Sequence, residues 1–480
     1  MNQILMDFDE LAGAAGARIF PGSGSGGGEG FSSVGVDSRK IEEGALFVAL
    51  PGAREDGHRF VEDAFRAGAC AAMVAESRVE VLNLCRLAGE WGRVLVVVED
   101  TLRGLQDAAA FYAGKFPRLV RVCVTGSSGK TTTKEIAAAM IRGEKKVVMN
   151  SGNLNSETGL PLSVFNIRPE HEVGIFEAGM NRRGEIGELA QVLKPHIALI
   201  TNIGSAHIGI VGAKASIAEE KKDVFSCFTG TETALVPAGD EYSDFLARGV
   251  RGKVLFYGPE EFPEFGEVRD LGLEGAEIDW DGEMVRFGLP GRFNLKNLLA
   301  AAAIAREIPV SSASIRRGLG SIKPLFGRGE ILAGKTTVIR DCYNSNPESL
   351  EAAVDFCDNL TWPGRRLYVI GAMVELGKET EEAHRKIGRI LSDSIAERIF
   401  LYGAETEAAA AILASMEIPF FYTDSMKELG RTLEDYIRPG DLVLLKGSRS
   451  CALEQLTPVL LGARETVGAV GEYCAAAGRG

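Results

Sequence analysis

The chain has no apolar run long enough to cross a bilayer. Its longest such runs, Val94–Val98 and Ile197–Ile200, fall far short of the roughly 20 residues a spanning helix needs. Its eight cysteines, at 70, 85, 123, 227, 342, 357, 451 and 474, include no C-x-x-C pair. That scatter excludes a disulfide framework or a zinc ribbon and fits reduced core thiols in a cytoplasmic protein. Nor is there an excess of basic charge. Lys and Arg total 53 against 66 Asp and Glu, a net −13, so no nucleic-acid partner is expected, although local basic sites on an acidic protein still suit anionic substrates. The first ten residues carry early acids and no basic n-region, so no signal peptide and no membrane insertion are expected. No repeat of fixed period is present.

The most informative stretch is Val122-Cys-Val-Thr-Gly126-Ser127-Ser128-Gly129-Lys130-Thr131-Thr132-Thr-Lys134. An apolar run enters a glycine turn and then the helix-forming Lys134–Ile141. Such a turn presents backbone N–H groups to a phosphate chain. Lys130 can reach the β/γ oxygens, Thr131 can place its hydroxyl on Mg²⁺, and the helix N-terminus adds positive potential. Val124 stands where the longer phosphate loop has its first glycine, so the spacing is the shorter G-x-x-G-K-T. A purely structural glycine turn is the plainer alternative. Strand, glycine turn and Lys-Thr together favour a nucleoside triphosphate site.

A length of 480 residues suits about three domains. The expected division is 1–116, 117–325 and 326–480. The first block holds the flexible Pro21–Gly30 insertion, strand-like Gly44–Leu50, Ala71–Ala75 and Val94–Val98, and helical Phe60–Gly68 and Leu102–Phe116. In the second, strands are expected at Val120–Thr125, Lys146–Met149, Gly174–Glu177, Ile197–Asn202 and Ala234–Pro237, with helices Glu185–Leu193 and Ser216–Phe228 between them. That alternation predicts a mainly parallel sheet covered by helices. A hairpin turning at Asp281-Gly282 and an Ala-rich helix Leu295–Glu307 follow. The third block alternates again, with strands at Thr336–Ile339, Leu367–Ile370, Ile399–Leu401, Phe420–Thr423 and Leu442–Leu445, and reads as a doubly wound α/β domain. Ala475–Gly480 is expected to fray.

A triphosphate site needs hard oxygen ligands for its metal. Glu177 ends a parallel strand, at the sheet edge where ligands of such folds bind, though a surface acid would sit there equally well. His207, after another strand and turn, is by itself more commonly a structural hydrogen-bonder. Lys221, in Glu219-Glu-Lys-Lys-Asp223, alone reads as part of a solvated helix face. Asn150–Gly159, with Asn153 and Asn155, is a polar loop that could open a substrate site.

Taken in order, these segments change their meaning. T-G-S-S-G-K-T-T, N-S-G-N-L-N-S-E-T-G-L-P, I-F-E-A-G-M-N-R-R-G-E-I and T-N-I-G-S-A-H resemble the Mur ligase superfamily in sequence and spacing. Gly291-Arg-Phe-Asn-Leu-Lys-Asn297, Phe326-Gly-Arg328, Asp341-Cys-Tyr-Asn-Ser-Asn-Pro347, Gly371-Ala-Met-Val-Glu-Leu-Gly377 and Lys446-Gly-Ser-Arg-Ser450 continue it. Val36-Asp-Ser-Arg39, Gly44–Gly52 and Asp56-Gly-His58 resemble its UDP-binding domain. The likeness covers nearly the whole chain. It implies an N-terminal α/β domain for a UDP substrate, a central P-loop ATPase-like domain with a mainly parallel sheet, and a Rossmann-like C-terminal domain.

The resemblance also implies roles. Gly126, Ser127, Ser128, Gly129, Lys130, Thr131 and Thr132 would hold ATP phosphates. Thr131, Glu177, His207 and Lys221 would serve Mg²⁺, with Lys221 carbamylated by CO₂ into an oxygen ligand. Lys130, His207 and Lys221 would be catalytic. Asn294 and Asn297 would lie near adenine, Arg328 near the phosphates and Asp341 near the ribose. Ser38 and Arg39 would face the uridine diphosphate, Asn153 and Asn155 the substrate, and Asn344, Asn346, Ser448 and Arg449 the dipeptide and reacting carboxyl. The K-G-S-R-S and D-C-Y-N-S-N-P elements point, within the superfamily, to ATP-dependent addition of D-alanyl-D-alanine to a UDP-N-acetylmuramoyl-tripeptide by a monomer. A tripeptide-forming relative would carry a D-N-P-R element instead. A nucleotide-binding transport or regulatory module would need neither the Lys221 position nor a dipeptide domain. The chain departs from the pattern at Phe293, where histidine is usual, at Ile208-Gly209, where Leu-Glu is common, and at Arg340 and Ala372, where acids are frequent.

Overall fold

Three helix-covered sheets follow one another along the chain. The computed structural model describes residues 3–21, 29–52 and 55–462, so most of the Pro21–Gly30 insertion and all of Ala475–Gly480 lie outside the described residues. The first sheet has five strands in the order Arg18–Phe20, Val94–Val98, Ala71–Ala75, Ala45–Val48, Ser33–Gly35; all pairs are parallel except the first.

The central sheet is wholly parallel and has six strands, ordered Lys253–Tyr257, Thr233–Pro237, Ile197–Ile200, Val120–Thr125, Val173–Glu177, Val147–Met149. Its inner strands are apolar along their length because both faces are covered. Val122, Val124, Ile175 and Leu199 pack on one face with the helices Lys130–Ile141 and Arg292–Arg306. The run Ala300–Ala303 lets that second helix lie close. The Asp281-Gly282 hairpin forms, both residues having positive φ, and Phe265–Asp270 adds a third antiparallel strand that its mixed pattern did not announce.

The last sheet has the order Glu330–Ala333, Thr337–Asp341, Leu442–Lys446, Arg366–Gly371, Arg398–Tyr402, Phe420–Thr423, antiparallel only at its first edge. Two helices differ from expectation. The one expected from Lys134 begins at Lys130, because Gly129 at φ 78° turns the chain into it at once. Ser216–Phe228 is instead a helix Lys214–Lys222 that tightens into a 3₁₀ turn at Asp223–Phe225. No described helix is long and apolar enough to cross a membrane.

Candidate active site

The carboxyl ends of Val120–Thr125, Val173–Glu177 and Ile197–Ile200 open onto a cleft of about 510 Å³, closed on its far side by the C-terminal domain. The phosphate loop forms its floor, held by groups distant in sequence. Thr201 Oγ1 donates to the Ser128 carbonyl at 2.6 Å, and Asn202 meets Ser128 through both amide atoms, its Oδ1 accepting Ser128 N–H at 3.1 Å. A Cβ on Gly126 would stand 1.8 Å from Thr201 Oγ1, and one on Gly129 would stand 2.1 Å from Asn297 Oδ1. Both glycines are therefore required by close approach. Asn297 donates in turn to Asn294 Oδ1 at 3.1 Å within the Ala-rich helix, which fixes the amide that packs against Gly129.

Lys130 folds back so that its ammonium donates to the Gly126 carbonyl at 2.9 Å. Burial pulls its pKa below the usual lysine range; Glu177 opposes the shift and Arg328 adds to it. Thr131 Oγ1 donates to Glu177 Oε2 at 2.6 Å, and Asn155 Nδ2 to Glu177 Oε1 at 2.6 Å. Asn150 clamps the backbone behind the acid, accepting from Glu177 N–H at 2.9 Å and donating to its carbonyl at 3.0 Å. A wholly buried Lys134 holds Asn150 from below, its Nζ 2.5 Å from the Asn150 carbonyl. Thr131 and Glu177 thus gather hard oxygen donors at one buried point, the donor chemistry Mg²⁺ prefers. Among the described residues no group of three or more His, Cys, Asp or Glu is spaced for a metal, so protein oxygens other than carboxylates would have to contribute.

Lys221 lies behind the cleft wall, fully buried, with its Nζ 4.0 Å from Met180 Sδ. Burial, then the charge of Lys130, pulls its pKa well below the lysine range. A solvated helix face is therefore ruled out for it. His207, at φ 64°, places Nδ1 2.6 Å from Glu375 Oε2 in the C-terminal domain, and that contact lowers the Glu375 pKa.

The C-terminal wall holds Arg328, stacked 4.1 Å over the Tyr343 ring, and Asp341, whose Oδ2 is 3.1 Å from Lys446 Nζ. Lys446 also donates to the Asn344 carbonyl at 2.7 Å. Asn346 caps the helix Pro347–Asn359 by accepting from Ser349 N–H at 2.8 Å. Phe293 meets Phe356 edge-on across the domains at 6.4 Å, so an aromatic pair stands at the histidine position. Arg340 is drawn away to Glu330, and Ala372 is buried.

The structure does not bring every expected residue to the cleft. Ser448 is 0% exposed, and its Oγ accepts from Val374 N–H at 3.0 Å behind the wall. Arg449 pairs with Glu454. Asn153 is exposed and does not line the cleft, although its carbonyl accepts from Asn155 N–H at 2.7 Å. Ser38 and Arg39 sit in the N-terminal domain, where Arg39 is bound to Asp37 at 2.8 Å. Sequence reasoning gave no role to Lys134, Asn150, Glu348, Glu375 or Lys446. Lysines and acids in helical or loop segments look solvated until the fold buries them; only the position of Lys446 at a strand end, beside a glycine, hinted otherwise.

Comparison with known proteins agrees with this layout. The Mur ligase family catalytic domain matches residues 30–112, the Mur ligase middle domain 124–305, and the Mur ligase glutamate ligase domain 327–449. UDP-N-acetylmuramoyl-tripeptide–D-alanyl-D-alanine ligase of Treponema pallidum is 42% identical over 460 residues, 95% of this chain and 99% of the relative. The Bacillus subtilis protein of the same name is 31% identical, covering 89% and 93%. Among solved structures, MurF of Acinetobacter baumannii superposes with a TM-score of 0.83 at 27% identity, covering 95% and 98%. MurF of Thermotoga maritima in complex with ADP gives 0.74 at 26%, covering 90% and 97%. The chain belongs to the Mur ligase family.

Proposed function

We propose that this Mur ligase joins D-alanyl-D-alanine to UDP-N-acetylmuramoyl-tripeptide with cleavage of ATP, producing the pentapeptide precursor of peptidoglycan. The observation that carries the reading is the convergence, in one cleft, of the phosphate loop with the Asp341–Asn346 segment from another domain. The relatives that share this chain's length bear the same activity in their names. In this reading residues 1–116 would take the UDP substrate, 117–325 ATP and 326–480 the dipeptide, in a monomer working in the cytoplasm.

A carboxylate acylates poorly because oxide would have to leave. In the proposed path the tripeptide's terminal carboxylate attacks the γ-phosphorus, and the bond to the ADP oxygen breaks. The amine of the dipeptide then adds to the acyl phosphate carbonyl, phosphate departs, and the amine's proton is lost. Lys130 and the loop N–H groups would meet charge spreading over the transferring phosphoryl group. Thr131 and Glu177, with His207 nearby, would hold Mg²⁺. When bound, that ion would neutralise phosphate charge and align the oxygens.

Lys221 would serve as a carbamate. Burial and the charge of Lys130 disfavour its ammonium form, which favours the free electron pair that attack on CO₂ requires; the amine would lose a proton as the N–C bond forms, leaving an oxygen anion near Lys130. Arg328, Asn294 and Asn297 would face the nucleotide, with Asp341 at the ribose. Ser38 and Arg39 would meet the uridine diphosphate, Asn155 the substrate, and Asn344 and Asn346 the dipeptide. Ser448 would act from behind that wall. Phosphate release from ATP should require both the UDP-tripeptide and D-alanyl-D-alanine. Equal turnover with glutamate or a single amino acid would overturn the reading.

A further inference from the structure

A second connection runs from the phosphate loop to the C-terminal domain, apart from the pairing of His207 with Glu375. Ser127 Oγ accepts from Gly204 N–H at 2.8 Å and stands 3.1 Å from the Gly204 carbonyl. The next residue, Ser205, gives its backbone N–H at 2.9 Å and its hydroxyl at 2.6 Å to a single atom, Glu348 Oε1. Glu348 lies in the first turn of Pro347–Asn359, directly after the Asp341–Asn346 wall. Its Oε2 is buried with no hydrogen-bond partner among the described residues. Gly204 suits this close approach, since a Cβ there would stand 3.2 Å from Glu348 Cδ and 3.4 Å from Ser127 Cβ, a tight fit.

The neighbouring seam is as tight. Gly209 N–H donates to the Glu375 carbonyl at 3.0 Å, and a Cβ on Gly209 would stand 2.3 Å from Gly377 N. Here the unusual Ile208-Gly209 pair has a physical reason: the backbones of two domains touch, leaving no room for a side chain. Two contacts thus flank the loop 201–209, one through a carboxylate and one through bare backbone.

We infer that Glu348 is a positioning residue that couples the phosphate loop to closure of the C-terminal domain through Ser205 and Gly204. The inference rests on the ATP-site reading above. An acid in a helix's first turn also interacts favourably with the helix dipole. That alternative concerns charge alone, whereas the coupling concerns an acceptor oxygen aimed at Ser205. Glutamine keeps the acceptor and discards the charge, so the two roles predict opposite results for Glu348→Gln.

The test uses the full chain. Small-angle scattering with and without a non-hydrolysable ATP analogue is measured for wild type, Glu348→Ala, Glu348→Gln and Ser205→Ala, together with kcat, KM for D-alanyl-D-alanine and Tm. The analogue should contract wild type and Glu348→Gln but not Glu348→Ala. Loss of bonds to a charged acceptor should raise the dipeptide KM of Glu348→Ala by about tenfold to a hundredfold. Glu348→Gln should raise it by only about threefold to tenfold, since neutral bonds are roughly half as strong. Ser205→Ala, which keeps its backbone bond, should fall between and carries the test if Glu348→Ala does not fold. Normal contraction and KM in Glu348→Ala, or Glu348→Gln as defective as Glu348→Ala, would overturn the coupling. If wild type fails to turn over the proposed substrates, the functional reading falls while the scattering comparison still decides the coupling.

Discussion

The phosphate loop and the K-G-S-R-S segment look alike on paper: each follows the end of a buried parallel strand and offers glycine, serine and a cation. The fold uses them in opposite ways. In the first, Ser127, Ser128, Lys130 and Thr131 line the cleft, while Glu177, Thr201, Asn202 and Gly204 hold the loop there. In the second, Ser448 is spent on Val374 N–H, Arg449 pairs with Glu454, and only Lys446 reaches the cleft. A short polar motif at a strand end can be either the reacting surface or the frame behind it. Partners contributed from elsewhere in the chain decide which.

Substitutions in the two segments should therefore act differently. Lys130→Ala should have the largest effect, a loss of turnover of about 10²–10³, as for other preorganised electrostatic contacts, with Tm near wild type because the loop glycines still form the turn. Retention of most of the rate would remove the contrast. Lys221→Ala should come next, losing most activity while a short carboxylic acid in the buffer restores part of it by supplying oxygens in the vacated space. Wild-type activity of that variant in CO₂-depleted buffer would count against the carbamate.

Ser448→Ala should act on stability, since the half-buried Val374 N–H would lose its acceptor, at a cost of about 1 kcal/mol. Its dipeptide KM should stay within about threefold, a change smaller than such a loss. A raised KM at unchanged Tm would place Ser448 in the reacting surface after all. The smallest effect on stability belongs to Arg39→Ala, because its ion pair with Asp37 is exposed and screened by solvent. Its expected signature is weaker binding of the UDP substrate, read by calorimetry; unchanged affinity would detach Arg39 from that substrate.

Much of the fold was legible because its signals are local. Apolar runs such as Val173–Glu177 and Ile197–Ile200 can only be strands buried on both faces, and their alternation with helices implies a parallel sheet. Phe265–Asp270 escaped notice because it is an exposed edge strand with no apolar alternation. Glycine and Lys-Thr spacing marked the phosphate loop for the same local reason, down to the two glycines whose missing side chains admit Thr201 and Asn297.

The chain's order of residues determined the strand and helix periods, the phosphate loop and the family resemblance, all carried by neighbours within a few residues of one another. Packing between distant segments set the rest: Lys221 is buried beside Lys130, Asn150 and Lys134 brace Glu177, and Glu348 and Glu375 reach across a domain boundary. A charged side chain carries no local mark of whether water or another domain will surround it. Its surroundings are set by packing between segments as far apart as Ser205 and Glu348.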